Sequence, residues 1–266
     1  MAFFECNIHS DCLGMATTIN VLMPQKSATQ IGMDGSAAAP EGSPVLYLLH
    51  GCSDDQSIWM RRTSIERYAA TCGIAVVMPF GARSFYNNTS DGSRWWDYIS
   101  EELPAILPGF FNVSTKREDT FVAGLSMGGF GAFKLGILCP ERFAAAASLS
   151  GMLDLNWAYP DKDSNEARSP QFGNIYGTRD EMLGSVNDIP FQMQKLIESG
   201  KEMPKFFISC GTEDFLYDIN TAFRDRFADS IDLTYHEEPG THEWGYWDRN
   251  IQRVLDWLPI EKKEVK

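Results

Sequence analysis

The sequence predicts an α/β protein with a mostly parallel central sheet and helices on both faces. Three observations carry this. Short apolar runs recur at 45–49, 74–78, 120–123, 143–150, 205–210 and 231–237, the pattern of strands buried on both faces. Segments of helical character separate them, at 64–71, 95–107, 127–138, 189–199, 219–228 and 244–257, and such alternation argues a parallel sheet covered on both sides. Finally, Thr120-Phe121-Val122-Ala123 runs through Gly124-Leu125-Ser126-Met127-Gly128 into a stretch of small residues, Gly129-Phe130-Gly131-Ala132-Phe133.

The elements follow in order. Thr17-Thr18-Ile19-Asn20-Val21-Leu22-Met23 alternates like an early antiparallel strand and is stopped by Pro24. Residues 27–43, rich in Ala, Gly and Ser, read as an exposed loop. Val45-Leu46-Tyr47-Leu48-Leu49 is the next strand, and the continuous run Ile74-Ala75-Val76-Val77-Met78 another. Pro104 kinks or divides the helix at 95–107. Nothing marks a linker or an internal repeat, so 1–266 is read as one domain. Residues 152–176 are a cap insertion within it.

The strand, turn and helix around Ser126 are the signature of a nucleophile elbow. The turn is strained and lifts the serine hydroxyl clear of the sheet. Glycines flank it because a side chain there would collide with the neighbouring strand or helix. The elbow marks the fold as that of the α/β-hydrolases; a glycine-rich turn in some other α/β protein is the plainer alternative. A serine needs a base, and the base an orienting acid. In this fold they follow in the order Ser, Asp or Glu, His. Of His9, His50, His236 and His242, that order removes the first two. His236 lies in a strand-like run, and His242 lies on the loop Pro239-Gly240-Thr241-His242-Glu243. His242 is therefore the expected base. Asp214, after the 205–210 strand, is the expected acid, with Glu213 and Asp218 as rivals and a helix N-cap as its alternative role.

The oxyanion donors are expected at the backbone N–H of Met127 and of Cys52. Cys52 sits in His50-Gly51-Cys52-Ser53-Asp54 after the 45–49 strand, where Gly51 lets the chain bend. The Cys52 thiol is read as incidental, and His50 as a brace for this loop.

With these residues in place, the chain resembles the tributyrin esterase family, close to the esterase D and S-formylglutathione hydrolase branch of the α/β-hydrolases. The resemblance rests on Pro44-Val45-Leu46-Tyr47-Leu48-Leu49-His50-Gly51, Glu101-Glu102-Leu103-Pro104, Ala123-Gly124-Leu125-Ser126-Met127-Gly128-Gly129, Cys210-Gly211-Thr212-Glu213-Asp214-Phe215-Leu216-Tyr217 and Gly240-Thr241-His242-Glu243-Trp244. It covers most of the chain and implies the triad Ser126, Asp214, His242 and the donors Cys52 and Met127. It also implies a serine carboxylesterase acting on short-chain acyl esters, acetyl to butyryl. Acylated carbohydrates and S-formylglutathione are the alternative substrates, and acyl transfer, as in mycolyltransferase relatives of the fold, the alternative reaction. The 27–43 segment looks longer than the family pattern, which bears on assembly through that edge and leaves a homo-oligomer open.

Composition narrows the partners. The formal net charge of −13 argues against nucleic acid and against anionic membranes, leaving a small-molecule or oligosaccharide ester. No apolar run approaches the ~20 residues of a membrane span, and the N-terminus lacks the basic and apolar regions of a signal peptide. Six cysteines without a C-x-x-C pair fit free thiols in the cytoplasm; Cys6 with Cys12 is the one conceivable pair. No metal-ligand spacing and no phosphate or dinucleotide loop is present, so no cofactor is expected.

Specificity is expected from 152–176, which carries Trp157, Tyr159, Pro160, Pro170 and Phe172 with little periodicity. It either caps the pocket or packs as a surface loop on itself. Trp96, in Trp95-Trp96-Asp97-Tyr98, and Trp244, beside the His242 loop, are the other candidate substrate contacts; the Trp95–Tyr98 cluster reads equally as core.

Overall fold

The computed structural model describes residues 1–27, 29, 31, 41–159 and 165–260. Most of the 27–43 loop and Pro160 lie outside them. The strands are β1 (Ala2–Ser10), β2 (Met15–Met23), β3 (Val45–Leu49), β4 (Ala75–Pro79), β5 (Thr120–Leu125), β6 (Ala145–Leu149), β7 (Lys205–Gly211) and β8 (Leu233–Glu238). They form one sheet in the order β1-β2-β4-β3-β5-β6-β7-β8. β1 and β2 are antiparallel to their neighbours, and the rest run parallel.

The helices are α1 (Ile58–Arg62), α2 (Ile65–Cys72), α3 (Trp95–Asp97), α4 (Leu103–Phe110), α5 (Met127–Leu138), α6 (Pro170–Tyr176), α7 (Arg179–Met182), α8 (Ile189–Ser199), α9 (Tyr217–Phe227) and α10 (Trp244–Trp257). Strand side chains alternate between two cores, as the pleat requires. Val45, Tyr47 and Leu49 pack with α4, α5, α8 and α9 on one face. Leu46 and Leu48 pack with α1, α2 and α10 on the other. This two-sided burial is why the parallel strands read as unbroken apolar runs.

Pro104 divides its helix. It has no N–H to give the carbonyl one turn back, and the chain inserts a π-helical turn, Tyr98–Glu102, in which the Leu103 N–H bonds to Tyr98 O. β1 was not expected from the sequence. It pairs with β2 along its whole length and exposes most of its side chains, so it lacks the apolar run that betrays an inner strand. Residues 152–176 begin with a 3₁₀ turn, Leu155–Ala158, and end in α6. Leu153, Leu155, Ala158 and Tyr159 are buried in the α5-side core, which anchors the start of the segment to the body, while Trp157 and Phe172 within it also pack on each other. Among the described residues no helix is long and apolar enough to cross a membrane.

Candidate active site

Four neighbouring parallel strands deliver the site. β5, β6, β7 and β8 end on the same side of the sheet, and Ser126, Ser150, Asp214 and His242 follow them in that order. Ser126 has φ 51° and ψ −113°, a left-handed conformation for a residue with a side chain. Its N–H bonds to Leu149 O at 2.9 Å, and its carbonyl accepts the first helical bond of α5, from Phe130 at 3.1 Å. Close contact fixes the flanking glycines: a Cβ on Gly124 would lie 2.4 Å from Gly128 O, and one on Gly128 would lie 2.4 Å from Leu49 O. Met127 opens α5, so its N–H has no partner within the helix. α5 is buried on nearly every side, which makes the elbow part of the molecule's centre.

Strands lie about 4.8 Å apart, so the end of β5 and the end of β7 are separated by about 10 Å. The imidazole of His242, arriving from beyond β8, meets the β7 side of that gap at Asp214. His242 Nδ1 lies 2.9 Å from Asp214 Oδ2 and 3.1 Å from Oδ1. The Asp214 carboxylate is wholly buried, and its Oδ1 also accepts the Leu216 N–H at 2.9 Å. Asp214 thus holds both the turn into α9 and the ring. With Nδ1 engaged, Nε2 is the nitrogen left to take a proton.

The rivals do other work. Glu213 clasps Gly240 from both sides: its Oε2 accepts the Gly240 N–H at 2.6 Å, and its own N–H donates to Gly240 O at 3.1 Å. That bond holds its carboxyl below the usual range. Asp218 is exposed on α9. His236 stays in β8, with Nε2 3.5 Å from Glu238.

His50 braces the loop that follows β3. Gly81 N–H donates to its Nε2 at 2.9 Å, so Nδ1 carries the proton and donates to Gly51 O at 2.7 Å. Burial pushes its pKa down to about 4, so the ring is neutral. The Cys52 thiol accepts from Gln171 Nε2 at 3.6 Å, which ties α6 to this loop.

An aromatic wall stands beside the imidazole. Phe215, 61% exposed, lies 4.5 Å from His242 between ring centroids. Trp157 follows at 6.0 Å from Phe215, and Phe172 at 6.1 Å from Trp157. Trp247 meets His242 edge-on at 4.9 Å and donates its indole N–H to Ser150 Oγ at 3.1 Å. Of the three candidate tryptophans, only Trp157 belongs to this wall. Trp244 packs edge-on against Trp59 and Trp247, each at 5.2 Å, so Trp247 holds the place expected of it. Trp96 lies over the Lys134 ammonium at 4.4 Å, two helical turns down α5 from the serine. Phe215 was not singled out, although it directly follows Asp214, and of the two tryptophans that flank the His242 loop in sequence, Trp244 and Trp247, the wrong one was preferred.

The Esterase family model matches residues 10–258. The chain belongs to the Esterase family. The acetyl esterase of Caldicellulosiruptor saccharolyticus is 30% identical, over 97% of this chain and 98% of that protein. Two solved structures from Staphylococcus aureus are each 32% identical over 97% of this chain and 98% of theirs. They are the fluorophosphonate-binding serine hydrolase FphF, at a TM-score of 0.83, and the S-formylglutathione hydrolase FrmB, at 0.82. The chain is therefore a carboxylic ester hydrolase with the α/β-hydrolase fold, in the esterase D-like branch.

Proposed function

We propose that this esterase cleaves carboxylic esters of short acyl chains, acetyl to butyryl, through a serine acyl-enzyme. The observation that carries the chain-length reading is the wall Phe215–Trp157–Phe172, which begins 4.5 Å from the His242 ring. On this reading the wall admits small acyl groups and obstructs long ones. Ser126 Oγ attacks the carbonyl while His242 Nε2 takes its proton. Asp214 holds the ring tautomer and stabilises the imidazolium. The N–H groups of Cys52 and Met127 receive the oxyanion, each worth about 3 kcal/mol in the transition state. His242 returns the proton to the leaving alcohol. Water, deprotonated by His242, then attacks the acyl carbonyl, and the acid departs as Ser126 is regenerated.

The expected partner is a small-molecule or oligosaccharide ester, and the six cysteines, all free thiols, suit a reducing cytoplasm. The likeness to FrmB favours one second reading, hydrolysis of S-formylglutathione. A panel of p-nitrophenyl esters from two to twelve acyl carbons, with S-formylglutathione, methyl ferulate and acetylated xylan beside it, decides between them. A kcat/KM that peaks at two to four carbons supports the proposal. A peak at eight or more, or S-formylglutathione preferred a hundredfold over every ester, refutes it. Added glycerol that diverted most of the acyl group into a new ester would make the enzyme a transferase.

A further inference from the structure

The segment from Phe80 to Asn88, between β4 and α3, has a shape its residues do not favour. Ala82, Phe85 and Tyr86 all stand at positive φ, 48°, 50° and 53°. Side-chain residues hold such angles only where their surroundings over-determine them. Here the surroundings are a buried polar chain that starts on α5. Lys134 is 1% exposed. Its ammonium donates to Asn87 Oδ1, donates to Asn187 Oδ1 at 2.7 Å, and faces the Trp96 ring at 4.4 Å. Asn87 in turn donates its Nδ2 to Phe85 O at 2.8 Å, clamping the left-handed pair. Tyr86 is then wedged flat between two glycines: a Cβ on Gly81 or on Gly131 would sit 2.5 Å from its ring. The wedge aims the phenol at the oxyanion loop, where Tyr86 OH donates to His50 O at 3.0 Å. That carbonyl stands two residues before the Cys52 N–H.

We propose that Tyr86 and Lys134 are positioning residues for the Cys52 oxyanion donor, acting through Asn87 and His50 without touching the substrate. The inference rests on the Cys52 N–H being that donor. Each link in the chain is a contact already described. A purely structural cluster has no need of the last link. Tyr86 OH could be left to solvent or to a water, yet it is buried and spent on the carbonyl that orients residues 50–52. The other arm of Lys134, to Asn187 ahead of α8, leads away from the oxyanion loop and supplies an internal control.

The test compares Tyr86→Phe, Asn87→Ala, Lys134→Met and Asn187→Ala with the wild type, well below each melting temperature. Two readouts are taken: kcat and KM on p-nitrophenyl acetate, and Kd for butylboronic acid, whose tetrahedral adduct on Ser126 places an oxygen where the oxyanion forms. Tyr86→Phe, Asn87→Ala and Lys134→Met should each lower kcat about tenfold with KM within twofold, the mark of an interaction made only in the transition state. They should weaken the boronic acid by a similar factor. The Tyr86→Phe/Lys134→Met double variant should lose less than the product of the single losses, since both act through one chain. Asn187→Ala should lower the melting temperature and leave kcat within twofold. Unchanged kcat in Tyr86→Phe, or a kcat loss in Asn187→Ala equal to that in Lys134→Met, overturns the proposal. Should Lys134→Met fail to fold, Tyr86→Phe, which lacks one hydroxyl, decides. If the wild type ignores p-nitrophenyl acetate but binds the boronic acid, the ester reading falls and the boronic acid series still decides the positioning. Absence of both in the wild type overturns both.

Discussion

Replacing Lys134 with Met should change how stability depends on pH, by an amount that follows from its burial. Lys134 is 1% exposed inside an otherwise apolar helix. Burial lowers its pKa from 10.5 to about 7. Between those values the unfolded chain holds one proton more than the native protein, so native stability rises with pH across that window. Each pH unit is worth about 1.4 kcal/mol. From pH 6 to pH 9 the wild type should therefore gain about 3 kcal/mol on Lys134→Met, which has no such proton. In a chain of this size that is a relative shift of roughly 6–10 °C in melting temperature. Two amide oxygens and an indole face favour the ammonium and oppose the shift, so this is the upper figure. Thermal unfolding of both proteins at pH 6, 7, 8 and 9 reads the difference directly. A difference constant across that range would mean that the lysine stays charged in the native core and that its partners, not its burial, set its state.

Further outcomes follow from the site. Ser126→Ala should keep its melting temperature within a few degrees, because alanine meets the same backbone constraint, and should lose roughly 10⁴-fold or more in kcat; retained turnover above one per cent removes Ser126 from the chemistry. His242→Ala should be inactive to a similar degree while His236→Ala keeps most activity, and the reverse in the same ester assay would show the last strand misread. Trp157→Ala should raise kcat/KM for octanoyl over acetyl esters at least tenfold, since each CH₂ admitted contributes about 0.8 kcal/mol; an unchanged ratio moves the wall elsewhere. Gly128→Ala would set a methyl 2.4 Å from Leu49 O, a backbone atom that cannot swing aside. The expected cost is about 3 kcal/mol or more, read by thermal unfolding, and a melting temperature within 2 °C of wild type contradicts the close contact.

How much of this was legible in the sequence depended on how local each signal was. The elbow was, because glycine, serine and glycine at that spacing have few reasons to follow an apolar strand. The bounds of α5, α8 and α10 were read correctly because each begins and ends on a marked residue: Ser126 and the Cys139-Pro140 stop, then Asp188-Ile189-Pro190 and Gly200, then the His242 loop and the Leu258-Pro259 stop. β1 was not legible, being an edge strand with side chains open to solvent. Nor was the bend at 80–88. Phe85 and Tyr86 are bulky aromatic residues whose own preference is for extended backbone, and the residues that hold them left-handed, Ser84 and Asn87 beside them and Gly81 and Gly131 against the Tyr86 ring, are distant in sequence or unremarkable in type. Trp96 and Trp244 were assigned by proximity in sequence, but a helix turns 100° per residue and sends them into packing. Lys134 was passed over in the sequence, although a single charge in an apolar helix was a usable signal.

His242 has to travel further than Asp214 to reach the site, and the way it does so explains the acidic pair at 213–214. β8 lies at the edge of the sheet, three strands from β5, so a histidine leaving β8 must turn back over β7. The backbone of Gly240 comes so close to the end of β7 that a Cβ on Gly211 would lie 2.1 Å from its carbonyl oxygen. Glu213 holds it there through its side chain and its own N–H, and Tyr246 closes on Gly240 from α10 while its hydroxyl meets Ser209 Oγ of β7 at 2.7 Å. Neighbouring carboxylates therefore divide one task. Glu213 fixes the backbone that carries His242, and Asp214, turned inward, fixes the imidazole ring. Sequence order alone could not separate them, because both follow the same strand. The direction each side chain takes from a tight turn, with Asp214 N–H on Gly211 O at 3.1 Å, separates them in space.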